Sequence, residues 1–245
     1  MKKIVVVTGA TRGLGYAITK QCVVDGYKVI AIGRRISDAL AELLRDHSDQ
    51  VIFEPYDFFD VTGIHDFATS ITRKHGRPWG LVNNAALSHD GVLATLHERD
   101  IAELITVNIQ APILFSKYLL RPMLINREGR IINISSIIAE TGFNGLSVYG
   151  ATKAALSGFT KSLAREVGKA NITVNAIAPG YMETDMTSAL KGEKLETIKR
   201  RSPLGHLAHV EDAAFAVSFL LSEKASSITG TTITVDAGSK SSLAR

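Results

Sequence analysis

The chain has 245 residues, 45% of them hydrophobic, which suits one α/β domain with a single large core. Its only cysteine, Cys22, excludes an intrachain disulfide, a CxxC pair and a thiolate metal cluster, and its helical position reads as buried and inert. A formal charge of +4, dispersed Lys and Arg and 7% aromatics argue for small acidic ligands and against nucleic acid.

In chain order, a first strand is predicted over 4–7 and a helix over 13–25. Between them, Thr8-Gly9-Ala10-Thr11-Arg12-Gly13-Leu14-Gly15 is a variant dinucleotide fingerprint, G-xxx-G-x-G in place of G-x-G-xx-G. Its glycines let backbone amides approach a pyrophosphate, and the helix N-terminus supplies positive potential. The second strand, 28–32, runs into Gly33-Arg34-Arg35 with no acid to hold a ribose 2′-hydroxyl. Arg34 and Arg12 are instead placed to bracket a 2′-phosphate. A helix over 37–47 follows, then a strand over 51–54, past which Asp57, beside Phe58, is a candidate acceptor for an adenine amino group.

A helix over 62–75 and a strand over 80–83 bring the chain to Asn83-Asn84-Ala85-Ala86, read as scaffold beside the cofactor. One long helix is predicted over 99–125, kinked where Pro112 denies an N–H to the carbonyl of Asn108. That carbonyl can hold a proton-relay water. The fifth strand, 130–134, leads to Ser135 and Ser136, whose side chains alternate in direction. In the helix over 148–168, Tyr149 and Lys153 share one face. Tyr16 and Lys20 have the same spacing but lie inside the nucleotide-binding helix with no hydroxyl partner upstream. Carbonyl reduction needs an acid, and free tyrosine has a pKa near 10. The Lys153 ammonium is expected to lower that value toward neutrality, with Ser136 donating to the same oxygen.

After a strand over 173–178, Pro179 and Gly180 with Met182 and Thr184 are candidate nicotinamide contacts, and a loop and helix (188–201) form a substrate-covering insertion around 181–203. A helix over 210–221 and a last strand over 232–235 complete the alternation. The expected architecture is α/β: a single Rossmann-like domain over 1–245, its doubly wound parallel sheet of about seven strands covered by helices on both faces. No apolar run approaches the roughly 18 residues of a membrane span, and Gly9 comes too early for a secretory leader, so a soluble cytoplasmic protein is expected. None of the seven histidines forms a His-x-His or His-xxx-His pair, and no metal is expected.

These residues together resemble the short-chain dehydrogenase/reductase family over the whole chain, from the glycine loop to Thr229-Gly230. The resemblance implies a catalytic set of Asn108, Ser136, Tyr149 and Lys153, with Thr184 on the nicotinamide and NADP(H) as cofactor. Within the family the chain is most similar to the 3-oxoacyl-[acyl-carrier-protein] reductases, on 162–167, 172–175 and 179–186. That implies an acyl-carrier protein as partner and a homotetramer built on the helices over 99–125 and 148–168 and the last strand. Arg127 matches one member of a basic carrier-docking pair, whereas Ala170 stands at the second. Ala86 replaces a usual glycine, and the loop Ala139-Glu140-Thr141-Gly142-Phe143 places an acid and an aromatic near the substrate mouth. A ketoreductase for a polyketide, steroid or other small carbonyl is the alternative. A dinucleotide sensor without catalysis would need a broken tetrad, and an RNA binder a basic aromatic face; the chain shows neither.

Overall fold

The computed structural model describes residues 2–182, 196, 199–200 and 202–242. Seven parallel strands, β1 (Ile4–Thr8), β2 (Lys28–Gly33), β3 (Val51–Pro55), β4 (Gly80–Asn83), β5 (Gly129–Ile134), β6 (Ile172–Pro179) and β7 (Thr232–Val235), form one sheet in the order β3-β2-β1-β4-β5-β6-β7. The order reverses between β1 and β4, which opens a crevice at the carboxyl ends of those strands.

Two-sided burial explains the continuous apolar strands. Val5 and Val7 point into one core with α1 (Gly13–Val24), α2 (Asp38–Asp46) and, later in the chain, the helix Val210–Leu221. Val6, Ile30, Leu81 and Ile131 point into the opposite core with α3 (Ile64–His75), the helix Ala111–Asn126 and the helix Ser147–Val167. Cys22 is buried in the first core, where desolvation pushes its thiol well up.

The helix predicted over 99–125 is three pieces: α4 (Glu98–Ile105), a π turn (Thr106–Gln110) and α5 (Ala111–Asn126). Pro112 has no N–H for the carbonyl four residues back, and Ala111 N–H bonds Thr106 O, five residues back. The missing donor is therefore absorbed by a wider turn, in place of a plain kink. A short α6 (Ile138–Thr141) and then α7 (Ser147–Val167) follow β5, α8 (Val210–Leu221) follows β6, and α9 (Ser239–Ser242) follows β7. No described helix is long and apolar enough to cross a membrane.

Candidate active site

The crevice is a cleft of about 720 Å³ that joins the glycine loop, the ends of β2 to β6, α6, the start of α7 and Ser239. Its nucleotide half rests on backbone that no side chain can enter. Gly9 and Gly13 have φ of 63° and 52°, and a Cβ on Gly15 would lie 2.0 Å from the Gly9 carbonyl oxygen. Thr8 and Asn84 fasten this loop to β4. The Thr8 hydroxyl accepts from the N–H groups of Asn84 and Ala85, each at 2.9 Å, and Asn84 Nδ2 donates to the carbonyls of Thr8 (2.9 Å) and Gly9 (3.1 Å).

Thr11, Arg12, Leu14, Arg34, Asp57 and Phe58 line the same half. Arg34 is exposed and free to swing onto an anion, and Asp57 accepts from Phe59 N–H at 3.1 Å, so one oxygen also shapes its own turn. Arg35, Ser37 and Tyr56 line it as well, although the sequence reading passed over them. Ser37 caps α2 by accepting from Leu40 N–H at 3.2 Å and donates to the Thr11 carbonyl, tying the second βα unit to the glycine loop. These residues suit a dinucleotide: a close-approach backbone cradle, an arginine at the end of β2 and no acid beside it.

Beyond β5, the fold separates the two serines. Ser135 is buried, donates to the Lys153 carbonyl at 2.9 Å and pairs with Ser157 at 3.0 Å. Ser136 faces the cleft, where its hydroxyl favours the ionised form of the Tyr149 phenol and accepts from Ile138 N–H at 3.2 Å. Lys153 is 2% exposed, donates to the Ile134 carbonyl at 2.9 Å and lies 5.6 Å from the Tyr149 ring centre.

Electrostatics corrects one expectation. Tyr149 is pushed up to about 12, chiefly by burial, with the Ser136 hydroxyl lowering it and Asp90 raising it. Burial outweighs the anticipated help from Lys153, whose ammonium is held by the Ile134 carbonyl and is itself pushed down to about 8 by desolvation. Tyr149 therefore carries its proton throughout the neutral range, the state required of an acid.

Asn108 is 1% exposed, and its side chain does more than the sequence indicated. Its Oδ1 accepts from Leu87 N–H at 2.8 Å, while Nδ2 donates to the carbonyl of Leu87 at 2.9 Å and to the Thr152 hydroxyl at 3.1 Å. Thr152 in turn donates to the Tyr149 carbonyl at 2.7 Å. The π turn, the loop after β4 and the first turn of α7 are thus pinned together. Thr152 was missed because the Tyr-xxx-Lys spacing constrains only the ends of that segment.

Pro179, Gly180 and Met182 line the cleft, with Gly180 packed against Asp236 so closely that a Cβ would come within 2.6 Å. Thr184 and most of the helix expected over 188–201 lie outside the described residues. Arg127, matched to one member of a carrier-docking pair, caps α5 at the amino end of β5 and donates to the Lys169 carbonyl at 3.0 Å. Roughly 20 Å of strand separates it from Ser136. His89, Asp100 and Glu103 converge, with His89 Nε2 at 3.2 Å from Glu103. Arg99 contacts Asp100 at 3.3 Å and Glu103 at 3.6 Å, so its guanidinium offsets one of the two carboxylate charges of the cluster.

Residues 3–194 match the short chain dehydrogenase family. The chain is similar to the 3-oxoacyl-[acyl-carrier-protein] reductase FabG of Escherichia coli, 37% identical over 238 residues that cover 96% of each protein. It is 38% identical to the FabG of Vibrio cholerae over 237 residues, again 96% of each. Among solved structures it is similar to ElxO with NADP bound, with a TM-score of 0.91 and 30% identity, covering 98% of this chain and 100% of that one.

Proposed function

Because this chain belongs to the short chain dehydrogenase family, we propose that it is an NADPH-dependent reductase that converts a 3-oxoacyl thioester on an acyl-carrier protein to the 3-hydroxyacyl thioester. The observation that carries the reading is that Ser136, Tyr149 and buried Lys153 line one cleft together with a backbone cradle for a dinucleotide. NADPH, when bound, supplies the hydride that the carbonyl carbon receives.

Tyr149 gives its phenolic proton to the carbonyl oxygen as that oxygen becomes an alkoxide, a far stronger base than a phenolate even at the raised pKa of about 12. Ser136 donates to the same oxygen and stabilises its developing charge. Lys153 keeps a positive charge beside the phenolate left on Tyr149, and a water held at the Asn108 carbonyl returns a proton along that side. Gly9, Thr11, Arg12, Gly13, Leu14, Gly15, Asp57, Phe58, Asn84, Pro179, Gly180, Met182 and Thr184 hold the cofactor, with Arg34 on the 2′-phosphate. NADP bound to the similar ElxO supports that choice.

Arg34→Asp is expected to raise the Kd for NADPH at least tenfold and to leave NADH affinity within about twofold, since one charge-assisted contact accounts for roughly that much. Fluorescence titration of both cofactors checks it, and equal losses for the two would assign Arg34 to the fold.

The names of the FabG relatives support the carrier-bound substrate. Side-by-side assay of 3-oxoacyl groups on carrier protein, coenzyme A and pantetheine is expected to rank the carrier first in kcat/KM. A homotetramer in the cytoplasm belongs to the same proposal. Leu124 and Ile125 on α5, with Phe215 and Phe219 on α8, are exposed apolar residues available for its interfaces. Arg127 can serve carrier docking only where a neighbouring subunit brings its own cleft to the amino end of β5. Turnover of steroid or polyketide ketones with no activity on any of the three thioesters would overturn the reading.

A further inference from the structure

We infer that Phe143 determines substrate specificity, by receiving the alkyl chain of the substrate's acyl group beyond the reacting carbonyl. The inference rests on the proposed reduction of 3-oxoacyl thioesters and names the part of the substrate on which the enzyme discriminates. Phe143 lines the same cleft as Ser136 and Tyr149, yet it is 52% exposed. A large aromatic surface left in water at the open side of a reaction cleft gains free energy when an apolar group covers it. The lining of the same cleft includes Leu87, Ile138 and Leu146, so an alkyl chain lying in it would meet apolar side chains.

The backbone around Phe143 is a short glycine-flanked segment anchored at its two ends. Gly142 and Gly145 flank it with φ of 67° and 81°. A Cβ on Gly142 would touch nothing, so the segment is not wedged by packing. The far end is tied to the loop after β4 by a Gly91 N–H to Gly145 carbonyl bond of 2.9 Å. The near end is fixed through α6, where Glu140 forms an ion pair with Lys240 of α9. Asp236 steadies α9 in turn by accepting from Gly238 N–H at 2.9 Å and Lys240 N–H at 2.7 Å. Phe143 thus sits on a short segment held at both ends, able to settle on chains of different length without disturbing Ser136.

The test measures kcat/KM for 3-oxoacyl pantetheine thioesters of short, medium and long chain, on wild type, Phe143→Ala and Phe143→Met. The wild-type value is expected to rise with chain length. Phe143→Ala should lose about tenfold on the longest chain and less than twofold on the shortest, and Phe143→Met should recover most of that loss, because it restores apolar surface. Thermal melts of the exposed-site variants should match wild type, and NADPH affinity should be unchanged. Active variants with chain-length profiles parallel to wild type would overturn the inference while leaving the reduction intact. A change of mass in light scattering for Phe143→Ala would also overturn it, by showing that a second copy covers the ring. Absence of thioester activity in wild type would overturn the reduction and this inference together.

Discussion

Tyr149→Phe is expected to lower kcat for reduction by roughly 10²–10⁴ fold, the contribution of a positioned general acid, while NADPH affinity stays within about threefold. The ring is partly buried against Lys153 and keeps that packing without its hydroxyl. What disappears is the proton that Ser136 helps to aim. Steady-state kinetics paired with cofactor titration separates the two effects. Tyr16→Phe, which has a lysine at the same spacing but lies on α1, should leave kcat unchanged. Retention of a tenth of wild-type turnover by Tyr149→Phe would remove Tyr149 from the mechanism.

Lys153→Met is expected to abolish turnover and yet to raise the melting temperature at neutral pH. Lys153 is buried with no carboxylate partner among the described residues, and desolvation brings its pKa down to about 8 from an unfolded value near 10.4. Between those values the unfolded chain binds a proton that the folded chain has lost, so the wild type gains stability as pH rises through that window. Below about 8 the charge is retained in the folded state at a cost in stability, and methionine of similar length removes that cost. A gain on the order of 2–4 °C at pH 7, shrinking toward pH 10, is the expected pattern in thermal melts. The same titration predicts that wild-type kcat/KM for reduction falls above about pH 8, as the positive charge beside Tyr149 is lost. Destabilisation of Lys153→Met at pH 7 would mean that the bond to the Ile134 carbonyl outweighs desolvation.

The seven strands were legible to within one residue at each end, because parallel strands buried on both faces must be continuously apolar and their runs stop at turn residues. The gathering of the glycine loop, Arg34 and the pair Tyr149 and Lys153 at one cleft was legible because local chemistry fixes their spacing. The π turn was not. Pro112 announces a missing bond, but its repair by a wider turn accompanies tertiary partners, Leu87 and Thr152, that grip Asn108. The raised pKa of Tyr149 was also out of reach, since spacing says which charge is near but not how much water is excluded. The ion pair of Glu140 and Lys240 joins residues 100 positions apart, and no local pattern marks either one. The distance of Arg127 from the cleft was out of reach for a simpler reason: it depends on which end of β5 the residue occupies, a matter of topology and not of charge.

The most direct test of the central claim uses NADPH carrying deuterium at the transferable position of the nicotinamide ring, with a 3-oxoacyl thioester on carrier protein and wild-type enzyme. Hydride transfer predicts one deuterium on C3 of the 3-hydroxyacyl product, located by mass spectrometry and formed in step with NADPH consumed. Product without deuterium at C3, or NADPH left unconsumed while the thioester is present, would contradict it.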